Sequence, residues 1–187
     1  MGIFDDLKAK ATNAAPAPAA ALQNEQETFT FARLPESVDE LKALPEAALT
    51  SPFQTAALTV CALCAYAAAP EIGIEMLNFL KGPQPLSTYD KQFLRDRFMD
   101  GRQYIPFSFF EGATPANDYT PNEPFCITVK ANPYSACDSD RVTLYVHSGG
   151  ADSDRQLTLR RKGDQYFLWE QHLLSGIRIP ASQDPWA

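Results

Sequence analysis

Residues 141–172 read RVTLYVHSGGADSDRQLTLRRKGDQYFLWEQH, and three clusters inside this stretch alternate apolar with polar residues. Val142, Leu144 and Val146 form the first, Leu157 and Leu159 the second, and Phe167 and Trp169 the third. A period of two puts one side of each strand in the core and the other in water, the pattern of an antiparallel sheet with one buried face. Upstream, from about residue 36 to residue 100, apolar residues recur at helical spacing instead. The chain divides into a helical half and a strand half. The expected fold class is α+β, with a layer of about four N-terminal helices packed on a C-terminal antiparallel sheet of four to five strands.

The last hairpin allows a sharper expectation, because facing residues of an antiparallel pair share a side of the sheet. A two-residue turn would set Arg160 against Phe167. A loop of Lys162, Gly163 and Asp164 instead pairs Leu159 with Phe167 and Leu157 with Trp169, keeping the apolar set together. The second register is expected. It turns Trp169 toward the helices and places Gln156 opposite Glu170 and Asp154 opposite His172. The other strands are expected over 124–131 and 141–147, with a short one at 28–31 pairing with the distant C-terminal sheet and a further short one at 177–179.

Three helix starts carry capping logic, since a side chain three positions after the cap can answer the cap residue's own amide. Ser37 precedes Glu40, Ser51 precedes Gln54 with Pro52 at the first helical position, and Ser87 precedes Asp90. Pro45, Pro70, Gly82-Pro83 and Gly101 read as stops. Met76, Leu77 and Leu80 give the third helix an apolar side, and Tyr89, Phe93 and Phe98 give one to the fourth. Residues 1–27 read as a tail, with Ile3, Phe4, Leu7 and Ala11 on one side of a short helix and an Ala/Pro tether from Ala14 to Ala21. Residues 28–187 then form a single domain.

At 187 residues with a 45% hydrophobic fraction, the chain can bury a real core. Its formal net charge of -7 disfavours a sequence-independent grip on phosphate backbones, so nucleic acid is not expected as a partner. Asp5 and Asp6 stand where a signal peptide would be basic, and a cytoplasmic protein is expected. The uncharged run from Pro52 to Pro70 is mostly Ala and Thr, which suits a buried helix better than a membrane span.

No nucleophile elbow, phosphate loop, metal-ligand cluster or nucleic-acid signature is present, so no catalytic residue, metal or cofactor is expected. Cys61 and Cys64 have the spacing of a dithiol but lie well inside the Ala-rich helix, where a thiol packs as a small hydrophobe. His147 and His172 fall on the polar sides of their strands, His172 beside Glu170. A carboxylate next to an imidazole is the minimum for acid–base work, and a solvated sheet face is its bland counterpart. Arg155, Arg160, Arg161, Lys162 and Arg178 concentrate positive charge in an acidic protein, which suits an anionic ligand or acidic partner. The segment 101–123 reads as a long loop carrying Tyr104, Phe107, Phe109, Phe110 and Tyr119. Exposed aromatics there would make a binding surface; buried ones would plug the gap between helices and sheet.

Taken together, LPESVDELKALPEAALTSPFQTAALTV, EMLNFLKGPQPLS, FLRDRF, ATPANDYTPNEPF and LRRKGDQYFLWEQHLLSGIRIPASQDPWA resemble a family of small, uncharacterised bacterial proteins over residues 28–187. The resemblance implies no activity, cofactor or catalytic residue. LRRKGDQYFLWE is also similar to the last hairpin of nuclear-transport-factor-2-like domains, although the helices here precede the later strands rather than alternating with them. The leading functional expectation is a non-enzymatic binding or accessory protein that engages a protein partner through loop 101–123. The Arg face, Arg160 included, would add to that partner surface; the alternative is a ligand-binding domain or enzyme with a pocket between helices and sheet, using Glu170, His172 or His147.

Overall fold

The computed structural model describes residue 22 and residues 24–187, so the expected N-terminal helix and the Ala/Pro tether lie outside the described residues. Among the described residues four α-helices form: α1 Val38–Ala43, α2 Pro52–Ala68, α3 Pro70–Lys81 and α4 Thr88–Phe98. Their starts follow the capping chemistry. At α2 the Ser51 hydroxyl accepts from the Phe53 amide at 3.2 Å while Gln54 Oε1 accepts from the Ser51 amide at 3.2 Å. At α4 the exchange is reciprocal between two residues: the Ser87 hydroxyl accepts from the Asp90 amide at 3.1 Å and Asp90 Oδ2 accepts from the Ser87 amide at 2.9 Å. At α1 Ser37 accepts from the Glu40 amide, but the Glu40 carboxylate reaches the Glu36 amide and Arg33 instead of Ser37's own N–H. Pro70 both ends α2 and begins α3, since its missing N–H is no loss at a first helical position.

Six strands of the described residues make one antiparallel sheet: β1 Gln26–Phe31, β2 Phe125–Lys130, β3 Ala136–Asp138, β4 Arg141–Val146, β5 Arg155–Lys162 and β6 Gln165–Gln171. The order is β1-β2-β4-β5-β6, with the short β3 also on β4. β1 pairs with β2, Phe29 facing Ile127, as expected of the 28–31 segment; the strand also takes in Gln26 and Glu27, on the tail side of the expected boundary. Ile177–Ile179 is not a strand. Gly176, at φ +68, and Pro180, which has no N–H to give, bracket it too closely for a ladder.

α2 lies against β1, β2, β4, β5 and β6, so the sheet wraps it and nearly every residue from Pro52 to Cys64 is buried. That all-round burial is why the helix carries no charge. No helix among the described residues is long and apolar enough to cross a membrane. Val142, Leu144, Val146, Leu157 and Leu159 are all buried, on the side of the sheet that the alternation assigns to the core. Met76, Leu77 and Leu80 are buried as well. On α4 the buried residues are Leu94 and Phe98, while Tyr89 is 78% exposed, against the expected apolar side.

The last hairpin departs from the expected register. Lys162 pairs with Gln165, leaving a two-residue turn of Gly163 and Asp164, and Arg160 faces Phe167 after all. Gly163 takes φ +64 and Asp164 does not take a positive φ, the arrangement of a type II′ turn with glycine first, whose twist matches that of the strands. The apolar match is recovered differently. Leu159 pairs with Leu168, which is 5% exposed, and a bulge follows, so that Thr158 faces Glu170 and Leu157 faces Gln171 with Trp169 left over. Trp169 therefore does not face the helices. Both the Arg141 and Arg160 guanidinium groups lie over its ring, 5.0 and 4.7 Å from the centroid, and these two arginines face each other on the outer side of β4 and β5.

Candidate functional site

The segment 101–123 is not a loose loop. Arg102–Phe109 and Pro115–Asn117 form 3-10 helices, and the backbone continues onto β2 through the Glu111 amide, which donates to Cys126 O at 2.9 Å. Phe109 and Phe110 are 3% and 2% exposed, and Tyr119 is 2% exposed; Tyr104 and Phe107 are half-buried. The exposure expected of a binding loop is absent at Phe109 and Phe110, which plug the space under the sheet. Phe110 meets Phe125 edge-on at 5.6 Å, and Tyr104 stacks on Tyr119 at 5.2 Å.

The Tyr119 hydroxyl donates to Arg178 O at 2.6 Å, tying this segment to the C-terminal stretch. Burial, with Tyr104 alongside, pushes its phenol up to about 12. An unfolded tyrosine ionises near pH 10, so the stabilisation from the neutral phenol is complete below about pH 10 and is lost as pH rises through about 12. Urea titrations from pH 9 upward should show the native protein losing stability faster than Tyr119→Phe. Parallel curves would sink this assignment.

Cys61 and Cys64 are buried free thiols, 0% and 3% exposed, and burial pushes both well above the usual thiol range. Thiolates are therefore suppressed at both, against a dithiol redox role. No group of three or more His, Cys, Asp or Glu among the described residues is placed to hold a metal ion. His147 Nδ1 lies 3.1 Å from Asp154 Oδ1, and Lys130 Nζ is 3.8 Å from the other Asp154 oxygen. The expected pairs of Asp154 with His172 and of Gln156 with Glu170 do not form: the His172 amide donates to Gln156 O at 2.9 Å, and Glu170 faces Thr158. Several arginines are tied down locally: Arg155 donates to Ser175 O and Gly176 O, Arg161 to Gly163 O, and Arg178 is paired with the Asp152 carboxylate.

Two of the sequence candidates, Glu170 and His172, come together along the outer edge of β6, whereas Arg160, on β5, lines a separate cleft beside it. Five consecutive residues from Leu168 to His172 border one groove there, opposite α3 and α4. Alternate residues line the groove where a strand shows a face, and consecutive ones where it shows its edge. At the other end of β6 that edge is covered, since the Tyr166 amide donates to Leu49 O at 2.8 Å and Thr55 Oγ1 donates to Tyr166 O at 2.7 Å. Beyond Phe167 the neighbouring chain stands off and leaves a groove of about 480 Å3 whose walls include Leu86, Phe93 and Leu94 and whose depth reaches Leu63 and Leu77. Polar groups stand around it. His172 Nε2 is 3.5 Å from Glu170 Oε1, and Asp90 is held by the Ser87 cap at 2.9 Å.

A second cleft of about 260 Å3 shares Lys81, Gln84, Leu168 and Trp169 with the groove. Its remaining walls are Pro83, Phe167 and the cations Arg160, Arg161 and Lys162. Lys81 Nζ donates to Trp169 O at 3.3 Å, so this ammonium sits where groove and cleft join. Phe167 can lie so close because Gly82, at φ +59, has no Cβ to meet its ring. Arg160 Nε is held by Asp140 at 2.9 Å, and the buried Arg141 Nε has no hydrogen-bond partner among the described residues. Lys81, Trp169, Leu86 and Phe93 did not emerge from the sequence as site residues. Trp169 alternates with Phe167 as a core residue would, and the two-residue turn, which sets Phe167 against Arg160 and Leu168 against Leu159, turns it to the outer side.

A family model for a domain of unknown function (DUF6935) matches residues 33–181. No curated protein and no solved structure matches the chain.

Proposed function

The chain belongs to the DUF6935 family of domains of unknown function, and we propose that it is a binding domain that holds a small ligand in the groove between α3, α4 and the bulged end of β6. The observation that carries this reading is the depth of the groove. It runs from Tyr89 and His172 at the surface down to Leu63 and Leu77, which are 0% and 2% exposed and belong to the core. A volume of about 480 Å3 with apolar walls and a few polar groups at the mouth has the dimensions of sites for small molecules, which span roughly 300–1,000 Å3. The groove is open rather than enclosed, which suits holding a ligand more than excluding water from a reaction. The buried state of Phe109 and Phe110 weighs against capture of a protein partner by segment 101–123.

The test is an uncharged apolar probe, 1-decanol, added to methyl-labelled protein and followed by NMR. Shifts are expected at Leu63, Leu77, Leu86, Leu94 and Leu168 and should saturate together. Shifts scattered over the surface, or none, would overturn the reading.

A further inference from the structure

The groove and the adjoining cleft differ in charge, and we infer that the ligand is an amphipathic monoanion, with its apolar part in the groove and its anionic head in the cleft beside Lys81, Arg160 and Lys162. This inference rests on the binding role proposed for the groove. The cleft has four cations on its walls, Lys81, Arg160, Arg161 and Lys162, and no carboxylate residue among them. In a chain of net charge -7 that is a local reversal of sign, in a concave site where low-dielectric walls strengthen attraction to an anion. Asp140 neutralises part of the charge through Arg160 Nε, which leaves an excess on the cleft rather than a balanced pair.

The head and tail assignments follow from where the cations stop. Lys81 is common to both spaces and sits at the junction, its ammonium fixed on Trp169 O, so a chain running along the groove meets positive charge only at one end. The groove itself carries Asp90 and Glu170, with Tyr89 and His172 at its mouth. Two carboxylates on those walls repel a second anionic group at the far end of a ligand. A dicarboxylate is therefore disfavoured, and a single carboxylate or sulfonate on an aliphatic or aromatic body fits. Trp169 and Phe167 in the cleft add apolar surface around the head, and the indole ring, already polarised by two guanidinium groups, reports on whatever arrives there.

The experiment uses Trp186→Phe protein, in which Trp169 is the one remaining tryptophan; Trp186 is 93% exposed, so the change leaves the core untouched. Decanoate, 1-decanol, decylamine and decanedioate are titrated separately and Trp169 emission is read. Decanoate is expected to bind at least tenfold more tightly than decylamine and decanol, and decanedioate more weakly than decanoate. Lys81→Gln combined with Lys162→Gln should remove most of the preference for decanoate over decanol, with circular dichroism confirming an intact fold. Equal affinity for decanoate and decanol would overturn the anionic assignment while the groove reading stands. Equal affinity for decanoate and decanedioate would overturn the monoanion. Binding by none of the four would overturn both this inference and the proposed binding role.

Discussion

Replacing Phe109 and Phe110 together by Ser is expected to melt the protein at room temperature. Each ring is almost fully buried, and truncating a buried phenylalanine costs about 3–5 kcal/mol through lost transfer energy and the cavity left behind. Ser adds an unsatisfied hydroxyl. Two such losses, even if not strictly additive for neighbours, are comparable with a whole domain's stability of about 5–15 kcal/mol. Circular dichroism and size-exclusion chromatography read the result directly. A folded double mutant would mean that the segment can lift off the sheet without disturbing the core, and a binding role for its aromatics would regain ground.

The second large effect separates two adjacent residues of β6. Leu168→Ala should cost about 2–5 kcal/mol, because Leu168 is buried opposite Leu159 in a site lined by α2 and α3 that cannot collapse fully. Trp169→Ala should cost less, about 1–2 kcal/mol, since what it loses is mainly two cation–π contacts worth about 0.5–1 kcal/mol each at exposed sites. Urea denaturation of both variants decides. A larger loss at Trp169 than at Leu168 would refute the bulged register and restore the one in which Trp169 faces the helices.

Those two residues show how far the alternation of a strand can be read. Val142, Leu144, Val146, Leu157 and Leu159 sit where period two puts them, because β4 and β5 are regular and central, and each side chain's direction follows from its neighbour's. β6 is an edge strand with one partner only, so one extra residue can be accommodated there at the cost of a single unpaired position. The apolar content of QYFLWEQ is compatible with either phase, and Gly163 serves a two-residue turn as readily as a longer loop. For the site the same holds. Glu170 beside His172 was legible because they are two apart in the sequence at the end of β6, and their side chains meet at 3.5 Å. Lys81, Leu86 and Phe93 were not, since nothing local marks that the end of α3, the turn after it and one face of α4 stand away from the sheet.

By itself the sequence determined the class and the parts: helices started by Ser51 and Ser87, an uncharged helix that must be buried, buried thiols at Cys61 and Cys64, and an antiparallel sheet with β1 reaching across the chain to join it. These follow from short-range chemistry, in which a cap answers an amide three residues away and an apolar period reports the side that leaves water. Only the tertiary structure decided that Phe109 and Phe110 are core, that Trp169 lies outside beneath two arginines, and that the end of β6 borders a groove with a cationic cleft beside it. Each depends on which distant segment covers which surface: Leu49 and Thr55 close one end of the β6 edge, and α4 stands clear of the other. Burial of that kind is a sum over long-range packing, so no window of sequence carries it.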